Sequence, residues 1–376
     1  MTGIRIAAFG GFRTIPPKEG GAGSDKFAFD LYPRITKLGY SLTAYCRIYP
    51  GDKTTPKYSD YEGIKIVSYH TVNRAGFDTL LHSFKATVDI IVRNRADVVH
   101  IHSGANSIWA LFLRLFGKKV FVSQFAMDWK RDKWPWYGKL FYMFSNYLTA
   151  YVPNGVVFDN IFTKEYFEKK FKRKYYFIPY GSEVKEPPDN NLILDKLGIS
   201  SGDYFLFIGR FIPDKGVHLL IKAFEDLKTD KKLVLVGGSP NPGDYEKKIR
   251  STTDTRIIFA GYVYGDDTNF LIKNAYAYIQ PSLIEGLSPV ILTVMGLGTP
   301  LICSDIVENT FITGENATHF ESGNSTSLNE KLNYSLNNAD NLKKNAKIGR
   351  DDILTRFNWD SITSQYLELF KYKEKI

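Results

Sequence analysis

Short apolar, β-rich runs alternate along this chain with longer segments whose apolar positions recur every three or four residues. The first pattern suits strands buried on both faces, and the second suits helices laid against a sheet. In the first half the runs predict strands at Ile4–Phe9, Ser41–Tyr45, Ile64–Val67, Val98–His102, Val120–Ser123, Thr149–Val152 and Tyr175–Pro179. Helices are expected over Lys26–Leu38, Thr79–Arg95, Ser107–Phe116, Trp136–Tyr147 and Val156–Phe171. The pattern dissolves after Tyr180 into GSEVKEPPDNNLILD, where paired prolines, acids and asparagines read as a linker.

A second series then begins. Its expected strands are Tyr204–Gly209, Lys232–Gly237, Arg256–Ala260, Tyr276–Gln280, Pro300–Ser304 and Thr318–Phe320. Its expected helices are Gly216–Leu227, Asp244–Ser251, Asp267–Asn274, Pro289–Leu297 and Ser325–Asn337, followed by Asn341–Phe357 and Asp360–Lys371. Alternation of this length implies an α/β protein with two Rossmann-like, doubly wound parallel-sheet domains. The expected boundaries are 1–183 and 184–357, with the terminal helix 358–376 packing back on the first domain.

Composition narrows the class. With 376 residues, 44% hydrophobic and 24% charged, the chain is globular rather than disordered. It has no uncharged apolar run long enough for a transmembrane helix. Its opening, MTGIRIAAFGGF, reads as a first strand and not as a signal peptide. Two cysteines, Cys46 and Cys303, fall in different expected domains, which fits a reduced cytoplasmic setting without a disulfide framework. The net charge of +9 is uneven: residues 1–180 hold 27 Lys and Arg against 14 Asp and Glu, so that half faces something anionic. No Cys/His metal spacing, helix-turn-helix or RNA-binding aromatic pattern is present, which disfavours nucleic acid.

Ligands in such sheets bind beyond the carboxyl ends of the strands, so the loops there carry the chemistry. GRFIPDKG supplies Gly209, Arg210, Lys215 and Gly216 after one strand, two cations spaced to suit a diphosphate, although a solvated basic loop would read alike. GGSPNPGD follows the next strand and includes Gly238, while GYVYGDD follows the third. QPSLIEGLSPVILTVMGLGTP joins a strand end to an apolar helix through a turn bearing one acid, Glu285. Ser288 is expected to cap that helix, and Pro289 suits its first turn. A helix start in that position is a natural phosphate site, and also an ordinary βα connection.

With FIGRFIPDKGVHLLIKAF, LVLVGG, IIFAGYV and PSLIEGLSPVILTVMGLGTPLICSDI, the chain resembles the GT-B glycosyltransferases of retaining family 4, the glycosyl transferases group 1. IPPKEGG, YEGIKIV, DVVHIHSGAN and MDWKRDKW resemble the subgroup that includes rhamnosyltransferases of bacterial surface polysaccharides. The resemblance implies two domains facing across a cleft, the second binding a nucleoside-diphosphate sugar. It implies that Arg210 and Lys215 neutralise the diphosphate and that Glu285 bonds the donor sugar. Gly286, Leu287 and Ser288 would meet sugar and phosphate, Tyr262 and Val263 would position the base, and Gly20 and Gly21 would close over the diphosphate. Retention of the anomeric configuration, with no metal and no cofactor beyond the donor substrate, is implied likewise.

Two positions depart from the family pattern. The second acid of its E-x7-E element is Thr293 here, which keeps a donor and an acceptor without the charge. A histidine expected to face the reacting sugar is replaced by Phe125 in QFAMDW. On the acceptor side the candidates are His102, Asp128, Lys130 and Arg131. MDWKRDKWPWYGKLFYMF interleaves basic and aromatic residues, as suits an anionic membrane surface. The expected function is transfer of a sugar to a lipid-linked glycan, by a cytoplasmic protein peripheral at the inner face of the membrane. The alternative is a non-catalytic nucleotide- or glycan-binding subunit, which the two departures would suit.

Overall fold

The computed structural model describes residues 3–17, 23–74, 76–125, 136–182, 185–188, 192–239 and 243–371. They form two units, one of residues 1–180 with 359–376, the other of residues 181–358. The chain therefore passes between the units twice.

In the first unit the strands are β1 (Arg5–Phe9), β2 (Ser41–Ile48), β3 (Tyr58–Tyr61), β4 (Ile64–His70), β5 (Val98–His102), β6 (Lys119–Gln124), β7 (Gly155–Phe158) and β8 (Tyr176–Phe177). Their order across the sheet is β3-β4-β2-β1-β5-β6-β7-β8. All neighbours are parallel except β3, which runs antiparallel to β4 at the edge. That short hairpin was not expected, because Tyr58–Tyr61 carries polar residues and packs half exposed. The sheet core joins Ala7, Phe9, Val99, Ile101, Val120 and Val122 to Ala86 and Ile90 of helix Phe77–Val92 and to Leu113 of helix Ile108–Leu115. Helix Trp359–Lys371 packs against helix Gly23–Lys37, so the end of the chain completes this unit.

Two expectations about this half need correction. Thr149–Val152 is not a strand: helix Trp136–Tyr151 continues through it, with Thr149 Oγ1 donating to Ser145 O at 2.8 Å. The strand comes later, at Gly155–Phe158, inside the stretch expected to be helical, and the helix starts only at Ile161. Gly155 permits this pairing, since a Cβ there would lie 3.0 Å from the Phe121 ring of β6. Short runs of β-branched and apolar residues do not distinguish a strand from a buried helical turn.

The second unit holds β9 (Tyr204–Arg210), β10 (Lys232–Gly238), β11 (Ile257–Gly261), β12 (Ala277–Gln280), β13 (Leu301–Ser304) and β14 (Thr318–Phe320). Its sheet is wholly parallel, in the order β11-β10-β9-β12-β13-β14. The centre reads as continuous apolar sequence because helices cover both faces; Phe205, Phe207, Leu233 and Leu235 pack with Leu220, Phe224, Leu328 and Leu332. Helices at Leu192–Leu197 and Val307–Thr313 were not anticipated, the first lying partly in the presumed linker. Cys46 and Cys303 are free and buried, one in each unit, and burial pushes both thiols up to about 12.

Candidate active site

Strand β9 ends on Gly209 and Arg210, in register with Gly237 and Gly238 of β10. Gly237 has φ +123°, and a Cβ there would sit 2.0 Å from Gly209 O, so two bare backbones meet at this strand end. Phe211 N closes the corner by donating to Gly238 O at 3.1 Å. Arg210 is thereby placed, exposed, at the carboxyl edge of the sheet. Tyr262, beyond β11, faces the same corner, where a Cβ added at Gly238 would lie 3.5 Å from its ring, and it stacks on Tyr264 at 6.0 Å. Val263 O accepts from Thr268 Oγ1 at 2.9 Å.

From this corner the chain turns through Pro213–Lys215 to Gly216, whose φ is +64°. A Cβ on Gly216 would lie 2.0 Å from Pro281 O, in the loop after β12. Leu283 N also donates to Asp214 O at 2.8 Å. These contacts fasten the two loops together and set Lys215 Nζ against Glu285 Oε1. Residues 70 positions apart in sequence thus become a salt bridge at the strand ends.

Glu285 is held by more than the lysine. Gln280 Nε2 donates to its Oε1 at 2.6 Å, and Ser282 Oγ donates to the same oxygen at 2.7 Å. Behind them, Tyr278 Oη lies 3.0 Å from Gln280 Oε1, and Ser304 Oγ donates to Ser282 O at 2.6 Å. Asn309 Nδ2 in turn donates to Ser304 Oγ at 3.0 Å. Burial alone would raise the Glu285 carboxyl, but the Lys215 charge and the hydrogen bonds from Lys215, Ser282 and Gln280 outweigh it and hold the group below its ordinary value. The carboxylate is ionised, oriented and shielded, with 9% of its side chain exposed. All these bonds fall on Oε1, so Oε2 offers a second acceptor to a hydroxyl.

After Glu285 the chain passes half-buried Gly286, buried Leu287 and buried Ser288 into helix Pro289–Gly296. Ser288 occupies the N-cap position with extended backbone, but its hydroxyl makes no capping hydrogen bond, which corrects one expectation. Thr293 is half-buried, and its hydroxyl donates to Pro289 O of its own helix at 3.1 Å. It can still accept a bond from an incoming hydroxyl. The structure therefore gathers Gly209, Arg210, Gly238 and Tyr262 at one corner and Lys215 with Glu285 at another. Sequence reasoning missed Tyr278, Gln280, Ser282, Ser304 and Asn309, although the polar QPS at the end of an apolar strand was a visible signal.

In the first unit the candidates part company. His102 closes β5 and is fully buried beside Phe12, Phe27 and Phe125, which gives it no open face for an acceptor. Its Nε2 meets Tyr32 Oη, which also lies 3.0 Å from His100 Nδ1; His100 Nε2 in turn lies 2.7 Å from Ser123 Oγ. Burial lowers His100 to about 3; it lowers His102 as well, with the neighbouring His100 adding to the effect, so both rings are neutral. Phe125 is half-buried against Phe27. Gly20, Gly21, Asp128, Lys130 and Arg131 lie outside the described residues. Among the described residues no group of three His, Cys, Asp or Glu is placed to hold a metal.

Residues 189–352 match the family model described as glycosyl transferases group 1. O-antigen chain mannosyltransferase B of Escherichia coli is 24% identical over 193 residues, 50% of this chain and 50% of that protein. The capsular polysaccharide biosynthesis glycosyltransferase CapM of Staphylococcus aureus is 24% identical over 199 residues, 50% of this chain and 52% of that protein. The chain spans about half the length of the curated relatives it matches. Among solved structures, sucrose-phosphate synthase from Thermosynechococcus elongatus aligns at a TM-score of 0.82 and 17% identity over 98% of both chains. HepE from Anabaena, in complex with UDP-glucose, aligns at 0.78 and 15% identity over 97% of this chain and 99% of that one. At such identities the likeness is one of fold, and the fold is that of the GT-B enzymes.

Proposed function

Residues 189–352 are a glycosyl transferases group 1 domain, and from that premise we propose that the chain moves a sugar from a nucleoside diphosphate to a lipid-linked glycan. One observation carries the proposal: Lys215 and Glu285 meet at the strand ends, an ammonium beside an oriented carboxylate. A donor diphosphate competes with Glu285 for Lys215 and draws on Arg210 as a second, bidentate cation. Glu285, still held by Gln280 and Ser282, then accepts hydroxyls of the donor sugar. Stabilising the departing phosphate is the main chemical task, and fixed cations perform it without a metal. We assign retention of configuration on the same grounds as the family resemblance. Tyr262 and Val263 flank the base, and Thr293 accepts from the ribose.

Relatives of surface polysaccharide assembly support the substrate class. The positive excess of residues 1–180 supports an anionic acceptor and a peripheral place at the cytoplasmic face of the membrane. Thermal shift against a panel of nucleotide-sugars tests the donor. One donor should raise the melting temperature by mass action and then support transfer. Absence of stabilisation by every nucleotide and nucleotide-sugar would overturn the proposal.

A further inference from the structure

Helix Trp136–Tyr151 is built inside out. Its buried positions are Ser145, Asn146, Thr149 and Ala150, while Trp136, Leu140, Phe144 and Tyr147 are exposed at 74%, 55%, 56% and 60%. A helix on a water-facing sheet buries its large apolar side and exposes its polar one. Reversal indicates that the outer side meets an apolar medium.

The neighbouring helices extend the same surface. Helices Phe77–Val92, Ile108–Leu115 and Trp136–Tyr151 lead into β5, β6 and β7, and the second is in contact with both of the others. Val92 is 76% exposed and Leu115 is 73% exposed. Of 27 large hydrophobic side chains exposed among the described residues, 16 lie between Phe77 and Tyr151, so the apolar surface is concentrated on this one face. Its charges have one sign. The helices Ile108–Leu115 and Trp136–Tyr151 carry Arg114 and Lys139 and no acid. In the third helix Asp78 pairs with Arg47, and Asp89 is buried against Arg93 and Arg95.

We propose that this three-helix face docks on the surface of an anionic lipid bilayer, with aromatic rings at headgroup level and the cations among the lipid phosphates. No described helix is long and apolar enough to span a membrane, so the contact lies in the interface plane. A second copy of this chain would set cation against cation at the rim, which like-charge repulsion disfavours, whereas anionic lipid complements it. The inference rests on the lipid-linked acceptor proposed above and places it: the face brings the protein to the bilayer where such an acceptor resides.

Flotation of the full chain with vesicles of phosphatidylcholine, with and without about one-third phosphatidylglycerol, tests it. Wild type should float with the anionic vesicles and release as sodium chloride rises. Leu140→Glu with Phe144→Glu, and separately Leu115→Glu, should each weaken partitioning at least about tenfold, the worth of one large apolar side chain. Donor-dependent thermal shift, measured on the same variants, should stay at the wild-type value and certifies folding. It also separates the two proposals, since loss of donor binding in wild type strikes the transferase and not this face. Failure to float with any vesicle, or unchanged flotation of all variants, overturns the inference. So does a dimer in sedimentation that these substitutions dissociate without any vesicle binding, which would assign the face to a second copy.

Discussion

Replacing Glu285 by Gln keeps the shape of the side chain and removes its charge. In the wild type its Oε1 receives an ammonium and two neutral donors, Gln280 at 2.6 Å and Ser282 at 2.7 Å. The amide oxygen of Gln can keep the two neutral bonds, so the loss is confined to the charge-assisted part, about 1.5–3 kcal/mol. Lys215 retains some exposure, 19% of its side chain, and can turn toward water, which favours the lower end. For a unit the size of residues 181–358 this corresponds to a melting temperature lower by about 3–12 °C at pH 7. The sign of the pH dependence follows from the carboxyl. Burial raises it, but Lys215 and the hydrogen bonds win, so its folded pKa lies below the ordinary 4.5. Its contribution is therefore complete above about 4.5 and disappears as pH falls through the lowered folded value. Scanning calorimetry of ligand-free wild type and Glu285→Gln at pH 7 and on descent below pH 4 should show a deficit that shrinks with acid. Equal melting temperatures at pH 7, or a deficit independent of pH, would refute the electrostatic account of this site.

Arg210→Ala and Lys215→Ala should each weaken donor binding at least about tenfold in titration calorimetry, and wild-type affinity in both would misplace the diphosphate. Thr293→Val deletes a neutral acceptor and should lower nucleotide affinity only a few-fold to about tenfold; no change removes Thr293 from the site. Gly216→Ala meets both a positive φ and Pro281 O at 2.0 Å, so chemical denaturation should show a loss above about 1 kcal/mol. His82 and His100 are buried with folded values near 3 against an ordinary 6.5, so the first unit should lose stability as pH falls from about 6.5 toward 3, and His82→Gln should flatten that slope.

The architecture was legible because parallel sheets covered on both faces need continuous apolar strands, and Tyr204–Ile208, Leu233–Val236 and Val98–Ile101 supply them. The misreadings fall where local pattern is weak. Thr149–Val152 reads as a strand in isolation, yet Thr149–Tyr151 is the last part of a helix whose inward side is Ser145, Asn146 and Thr149. In an inside-out helix periodicity marks the helix but not its inward side, since polar residues form its buried stripe and aromatics its exposed one. The helix itself was expected as far as Tyr147, and the polar inward side that obscured its last turn leaves its aromatics on the face proposed to meet lipid. His102 illustrates the opposite error. A histidine at a strand end reads as a reagent, but Phe12, Phe27 and Phe125 enclose it, and Tyr32 and Tyr366 complete a buried polar chain through His100 and Ser123.

For the donor side, the residue types could be read and their coupling could not. Arg210, Lys215 and Glu285 stood out because each follows a strand, where loops carry chemistry. That Lys215 and Glu285 form one unit depends on two backbone approaches invisible to any local pattern: Gly216 against Pro281 O, and Leu283 N on Asp214 O. Glycine at 216 is thus required by the loop it touches as much as by its own φ. The coupling changes what the site does. A lone lysine would attract a diphosphate by charge alone, whereas Lys215, paired with Glu285, would have to leave a carboxylate to take the proposed one. In the proposed transfer, binding phosphate would free a carboxylate still oriented by Gln280 and Ser282 to meet the donor sugar. On that proposal the lysine and the acid would act in sequence on the two ends of one donor, and weakening either should be felt at both.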